Sequence, residues 1–134
     1  MTLVEVVIAL AITGIMVAGI VSGYVFCSTS TVKDSLYAAA NAKASQRLEE
    51  TRAAIWAPYR ATPVDELVAT NFLDEPVTLD LSATGAQPTM ATVSTTISQI
   101  SDSPPVRRIR VDCIWQFKDQ NITNTIETLR APDQ

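Results

Sequence analysis

From Val6 to Val32 the chain carries no charged residue, and up to Val21 only Thr13, Gly14 and Gly19 interrupt an apolar run. A helix of that length crosses a bilayer core of about 30 Å. Beyond it the pattern turns amphipathic. Val32, Leu36, Ala40, Ala44, Leu48 and Ile55 recur at spacings near four and form one ridge. Tyr37-Ala38-Ala39-Ala40 and Arg52-Ala53-Ala54 add strong helix formers, and no proline occurs before Pro58. One helix is therefore predicted from about Thr2 to about Ala54, about 80 Å long at 1.5 Å per residue. Its charges from Lys33 onward (Asp34, Lys43, Arg47, Glu49, Glu50, Arg52) mix both signs and read as a solvated face.

Strand-like alternation follows much later. Residues 57–90 hold Pro58, Pro63, Pro76 and Pro88 and read as a loop, with a helical turn at 64–68 and a short strand from Val77 to Leu81. Three strands are predicted after it. The first, Ala91 to Ile100, puts Val93, Thr95 and Ile97 on one face. The second, Val106 to Phe117, turns Ile109, Val111, Cys113, Trp115 and Phe117 one way and Arg108, Arg110, Asp112 and Gln116 the other. Asp119-Gln120-Asn121 is read as a turn, and Ile122 to Leu129 as the third strand, with Ile122 and Ile126 inward. The fold class is α+β. A long N-terminal helix, half membrane segment (1–32) and half amphipathic spine (33–56), packs against a C-terminal antiparallel sheet (91–130), and residues 33–134 form the globular head.

Composition narrows the chemistry. The 134 residues suffice for one domain, and 47% of them are apolar, which excludes disorder. No histidine is present, which removes the commonest general base, the usual serine and cysteine triads and most zinc sites. The acidic clusters of residues 57–90 (Asp65, Glu66, Asp74, Glu75, Asp80) have no spacing like a calcium loop. No enzyme, metal site or cofactor is expected. The net charge of −4 argues against a broad basic surface for nucleic acid.

Glu5 is the anomaly. A carboxylate this close to a membrane segment is costly unless a partner or water compensates it. Two readings fit. In one, Glu5 sits at the water interface of a single-pass anchor. In the other, copies of the chain stack with an axial offset, and Glu5 meets the α-amino group of a neighbour. Such a pair fixes register, because either charge left alone in apolar surroundings would be costly.

The stretch Met1-Thr2-Leu3-Val4-Glu5-Val6-Val7-Ile8-Ala9-Leu10-Ala11-Ile12 resembles the mature N-terminus of type IV pilins and type II secretion pseudopilins. The threonine, leucine, glutamate and apolar run fall in register over about two dozen residues. The resemblance implies a pilin lollipop fold, processing by a prepilin peptidase, and an N-methylated Met1 as the first residue after cleavage. It also implies a wait in the inner membrane, extraction by the pilus assembly machinery, and polymerisation into an extracellular homo-oligomeric filament that serves adhesion, motility, DNA uptake or secretion. The C-terminal runs Val111-Asp112-Cys113-Ile114-Trp115 and Ile126-Glu127-Thr128-Leu129-Arg130 are similar, more loosely, to minor pilins and minor pseudopilins. A minor pseudopilin of a type II secretion system is thus one alternative. A monomeric single-pass membrane protein with a ligand-binding head is another. Many pilins carry proline near position 22, where this chain has Ser22.

Gly14, Gly19 and Gly23 are three of the four glycines. Each weakens a helix interior by about 1 kcal/mol relative to alanine. They suit close packing between helices, and the family implies a stretch that loses helicity as subunits pack. Cys27 and Cys113 allow one disulfide or two separate buried thiols. Arg107, Arg108 and Arg110 near Trp115 invite a nucleic-acid reading, but they read as charges that blunt a solvent-facing strand, and no specific nucleic acid is expected. Tyr24, Phe26 and Tyr37 suit an aromatic belt or helix packing, and Asn121-Ile122-Thr123 is a glycosylation sequon.

Overall fold

The computed structural model describes residues 2–80 and 87–133. A single helix, α1, spans Leu3–Ala53, and the chain divides into two compact units, Met1–Ser35 and Leu36–Gln134. The first unit is helix alone. The second takes up the helix from Leu36 and adds six strands: β1 (Trp56–Ala57), β2 (Val64–Asp65), β3 (Glu75–Thr78), β4 (Met90–Asp102), β5 (Pro105–Phe117) and β6 (Gln120–Arg130). The α+β class, with the helix packed on an antiparallel sheet, is the one expected from the sequence.

Helical and strand periods meet in the head. Leu36, Ala40, Ala44, Leu48 and Thr51 lie on one helix face and are all buried. The sheet has the order β3-β4-β5-β6, every neighbouring pair antiparallel. Its core face carries Ala91 and Val93 of β4 and Ile109, Val111, Cys113 and Trp115 of β5. Ala40 and Ala44 are both 0% exposed, so small side chains sit where helix and sheet meet. Arg47, mostly covered, pairs with Glu75 and ties the helix to the edge strand β3.

The structure departs from the sequence reading in several places. The ridge loses its ends: Val32 and Ile55 are exposed, and Thr51 takes the last core position, its hydroxyl donating to the Leu48 carbonyl at 2.7 Å. Residues 57–90 are more than a loop. Val64–Asp65 is strand rather than helical turn and pairs with Trp56–Ala57. A 3-10 turn at Ala69–Asn71 follows, and Leu67 and Phe72 enter the core. The expected strand at 77–81 is β3, two residues earlier, and it joins the sheet expected from residues 91–130 alone; Leu81 lies outside the described residues. The last turn is Lys118-Asp119, with φ of 46° and 62°, one residue before the expected one. Two consecutive positive φ values give the tight turn whose twist matches paired strands. The sequon therefore lies inside β6 rather than in a turn.

Among the described residues, Thr95 is the buried side chain left with an unpaired polar atom. It is buried opposite Val111, and its Oγ1 has no hydrogen-bond partner. Valine has the same shape without the hydroxyl's desolvation cost. Thr95→Val should therefore stabilise the head by about 1 kcal/mol, read as a higher urea midpoint; a lower midpoint would reveal an overlooked partner for the hydroxyl.

Candidate functional site

In the N-terminal unit every described side chain from Thr2 to Ser28 is exposed. The large apolar ones include Leu3, Val7, Ile12, Ile15 and Ile20. Soluble surfaces do not carry a continuous apolar coat of this kind. Its helix is long and apolar enough to cross a membrane. Three of its threonine hydroxyls turn inward on the backbone: Thr13, Thr29 and Thr31 donate to the carbonyls four residues back, Ala9, Val25 and Cys27, at 2.8, 2.9 and 2.9 Å. Those groups make no demand on water, which suits lipid or another helix as surroundings.

Glu5 lies in the first turn of α1, where a negative charge complements the positive end of the helix. Thr2 precedes the helix, and Glu5 stands three residues on, the spacing of a capping box. That box is not formed. The Glu5 and Val6 N–H groups both donate to the Thr2 carbonyl, at 3.0 and 3.3 Å. Among the described residues the Glu5 carboxylate has no ion-pair partner. It is a charge that no described residue of the chain compensates. Met1, expected to supply the methylated amine, lies outside the described residues. At Gly14, Gly19 and Gly23 an added Cβ would meet nothing within 4 Å, so each notch stands open.

No protein-family model, curated protein or solved structure matches the chain. Functional assignment therefore rests on its own residues.

Both cysteines are free thiols: Cys113 is buried in the head core, and Cys27 is exposed on the N-terminal unit rather than buried. The β5 alternation turns Cys113 into the packing between sheet and helix, and burial pushes its thiol pKa up.

The arginine trio also divides. Arg107 is in phase with Ile109 and turns inward. Its guanidinium lies 4.5 Å from the Trp56 ring centroid, takes both Asp65 carboxylate oxygens at 2.7 Å, and donates to the Leu67 carbonyl at 2.7 Å. It pins β2 and the following loop to the sheet. Arg110 faces outward and pairs with Asp112 at 2.9 Å. Two of the three positive charges are thus matched by carboxylates. Among the described residues no group of three or more Cys, Asp or Glu is gathered to hold a metal ion.

A second clamp closes the C-terminal end. Arg130 donates to the Thr51 carbonyl at 2.6 Å and pairs with Asp133 at 3.0 Å. Asp133 Oδ2 accepts the Trp56 N–H at 2.8 Å, and the Asp133 N–H donates to the Trp56 carbonyl at 2.7 Å. Sequence reasoning missed this clamp, since only the fold brings residues 51, 56, 130 and 133 together.

Both clamps make the head acid-sensitive. The hydrogen bond from Arg107 holds the Asp65 carboxyl below its ordinary 3.8, and the Trp56 N–H, then Arg130, do the same for Asp133. Each carboxyl binds its proton less readily folded than unfolded. The stability they contribute is whole above about pH 5 and fades as pH falls through the lowered folded values. Urea midpoints should stay level from neutrality to about pH 5 and drop below about pH 4. Asp65→Asn and Asp133→Asn should each lower the neutral plateau and flatten the acid limb.

Proposed function

We propose that this chain is a structural subunit of an extracellular filament of the type IV pilus kind, held in the inner membrane before assembly. The subunit polymerises through its N-terminal helix, and Glu5 pairs with the terminal amine of a neighbouring copy. One observation carries the reading: an exposed apolar helical run before Lys33 whose one carboxylate, Glu5 in the first turn, no described residue of the same chain pairs with. Lipid can cover the apolar coat but cannot match the charge. A neighbour stacked with a small axial offset can do both. The pilin-like Thr2-Leu3-Val4-Glu5 start supports the same reading, as does a head that folds from Leu36 onward on its own core. The open notches at Gly14, Gly19 and Gly23 give close-packed helices room to approach.

The test is direct. Material sheared from the surface of cells expressing the chain should contain filaments under the electron microscope, and intact mass should show one added methyl group at the amino terminus. A chain that stays in the membrane fraction, unmethylated and never polymeric, would favour the single-pass anchor instead. The minor pseudopilin alternative predicts short filaments only, present at low copy and lost together with secretion.

A further inference from the structure

A concave site at one end of the head is independent of how the chain assembles. Three segments build it. The connection between β1 and β2 contributes Tyr59 and Arg60; the turn between β4 and β5 contributes Ser103 and Pro104, and the start of β5 contributes Pro105; the C-terminal stretch contributes Ala131, Pro132 and Asp133. It encloses about 450 Å³, within the size range of small-molecule sites.

The walls are stiff. Pro104, Pro105 and Pro132 have fixed φ. The Asp133 backbone is hydrogen-bonded to Trp56, and Arg130 anchors the same stretch to Thr51. A preformed pocket of this kind loses little conformational freedom when it binds, which favours affinity for small ligands.

Its charge is unbalanced. The Asp133 carboxylate is hydrogen-bonded to Arg130 and the Trp56 N–H, and it feels the Arg60 charge only at longer range. Arg60 has no ion pair or side-chain hydrogen bond among the described residues. The pocket thus joins an apolar lining of proline, alanine and a tyrosine ring to a guanidinium in excess: Arg60 and Arg130 share the single Asp133 carboxylate, and only Arg130 bonds it. Tyr59 is 75% exposed, a large ring left uncovered beside that charge.

From this pairing we infer that the pocket binds a small organic carboxylate with an aromatic body. The ring of such a ligand packs on Tyr59 and the prolines, and its carboxylate takes the Arg60 fork, a geometry that favours two parallel hydrogen bonds. A neutral sugar would leave the guanidinium unmatched. A cationic ligand would be repelled. The inference holds for a filament subunit and for an anchored monomer alike.

The test uses the full chain in detergent micelles with phenylacetate as the probe, followed by NMR shifts of the backbone amides. Phenylacetate should shift Tyr59, Arg60, Ser103 and Ala131 along one saturable curve. Its uncharged analogue phenylacetamide should bind about tenfold more weakly or worse. Arg60→Gln should impose a similar loss. Ala131→Trp, which fills the pocket, should abolish binding. Urea midpoints of both variants should match the parent, which separates lost binding from lost folding. Equal binding of acid and amide would overturn the inference, as would phenylacetate shifts that persist in Ala131→Trp or never saturate at these residues. If glucose saturated the pocket and phenylacetate did not, the ligand class would be wrong.

Discussion

Glu5→Gln should reduce filaments recovered by shearing at least a hundredfold while leaving the head fully folded. The substitution keeps size and polarity and removes only the charge. In the proposed bundle it would strand the neighbour's ammonium in apolar surroundings. Breaking a buried pair by removing one partner costs about 3–5 kcal/mol, or about a hundredfold to several thousandfold in each subunit contact. Growth repeats that contact at every addition, so the loss compounds. The head should not notice, since its core is drawn from Leu36 onward. Circular dichroism and the urea midpoint are therefore the controls. Glu5→Ala should behave the same way, which would separate charge from hydrogen bonding. Parental filament yield from either variant would remove the electrostatic basis of assembly.

The largest expected loss of stability lies at Trp115. Its indole is 2% exposed, meets Phe117 edge-on with ring centroids 6.3 Å apart, and donates from Nε1 to Asn124 Oδ1 at 3.2 Å. Asn124 in turn donates to the Tyr37 carbonyl at 3.2 Å and to Asn41 Oδ1 at 3.0 Å, so one buried amide links sheet to helix. Trp115→Ala opens a cavity and strands that amide. It should cost about 3–5 kcal/mol, a large share of the 5–15 kcal/mol typical of a domain. Trp115→Phe restores much of the packing and leaves Asn124 Oδ1 without its donor, so it should cost about 1–3 kcal/mol. Denaturation monitored by circular dichroism gives both values. If Phe were as harmful as Ala, the hydrogen bond would outweigh the ring. If Phe were harmless, the amide would have another donor.

The legible parts of the fold were those governed by period. The ridge from Leu36 to Leu48 and the inward set Ile109, Val111, Cys113 and Trp115 follow from spacings of four and two, and the structure buries them all. The illegible parts needed distant partners. Arg107 is odd-numbered like Ile109 and belongs to the core face by parity, but its neighbours Arg108 and Arg110 made it look like part of a basic cluster. Asn124 is in phase with Ile122 and Ile126, and its polarity hid its place inside. Its signal was Trp115, whose buried N–H requires an acceptor. Leu67 and Phe72 carry no period because the segment around them is mostly irregular. The Lys118-Asp119 turn lacks the Asn-Gly that usually marks such turns. At the N-terminal unit the sequence supplies the charge and the apolar coat, and the proposed partner that satisfies both is another copy of the chain.

Electron cryo-microscopy of the sheared filament bears on that partner most immediately. In each copy the Glu5 carboxylate should lie within ion-pair reach, about 4 Å, of the amino-terminal nitrogen of an adjacent subunit, with the N-terminal helices bundled at the filament axis. A filament whose Glu5 side chains point to solvent, or pair with something other than a neighbour's amine, would show that a different interaction sets the stagger.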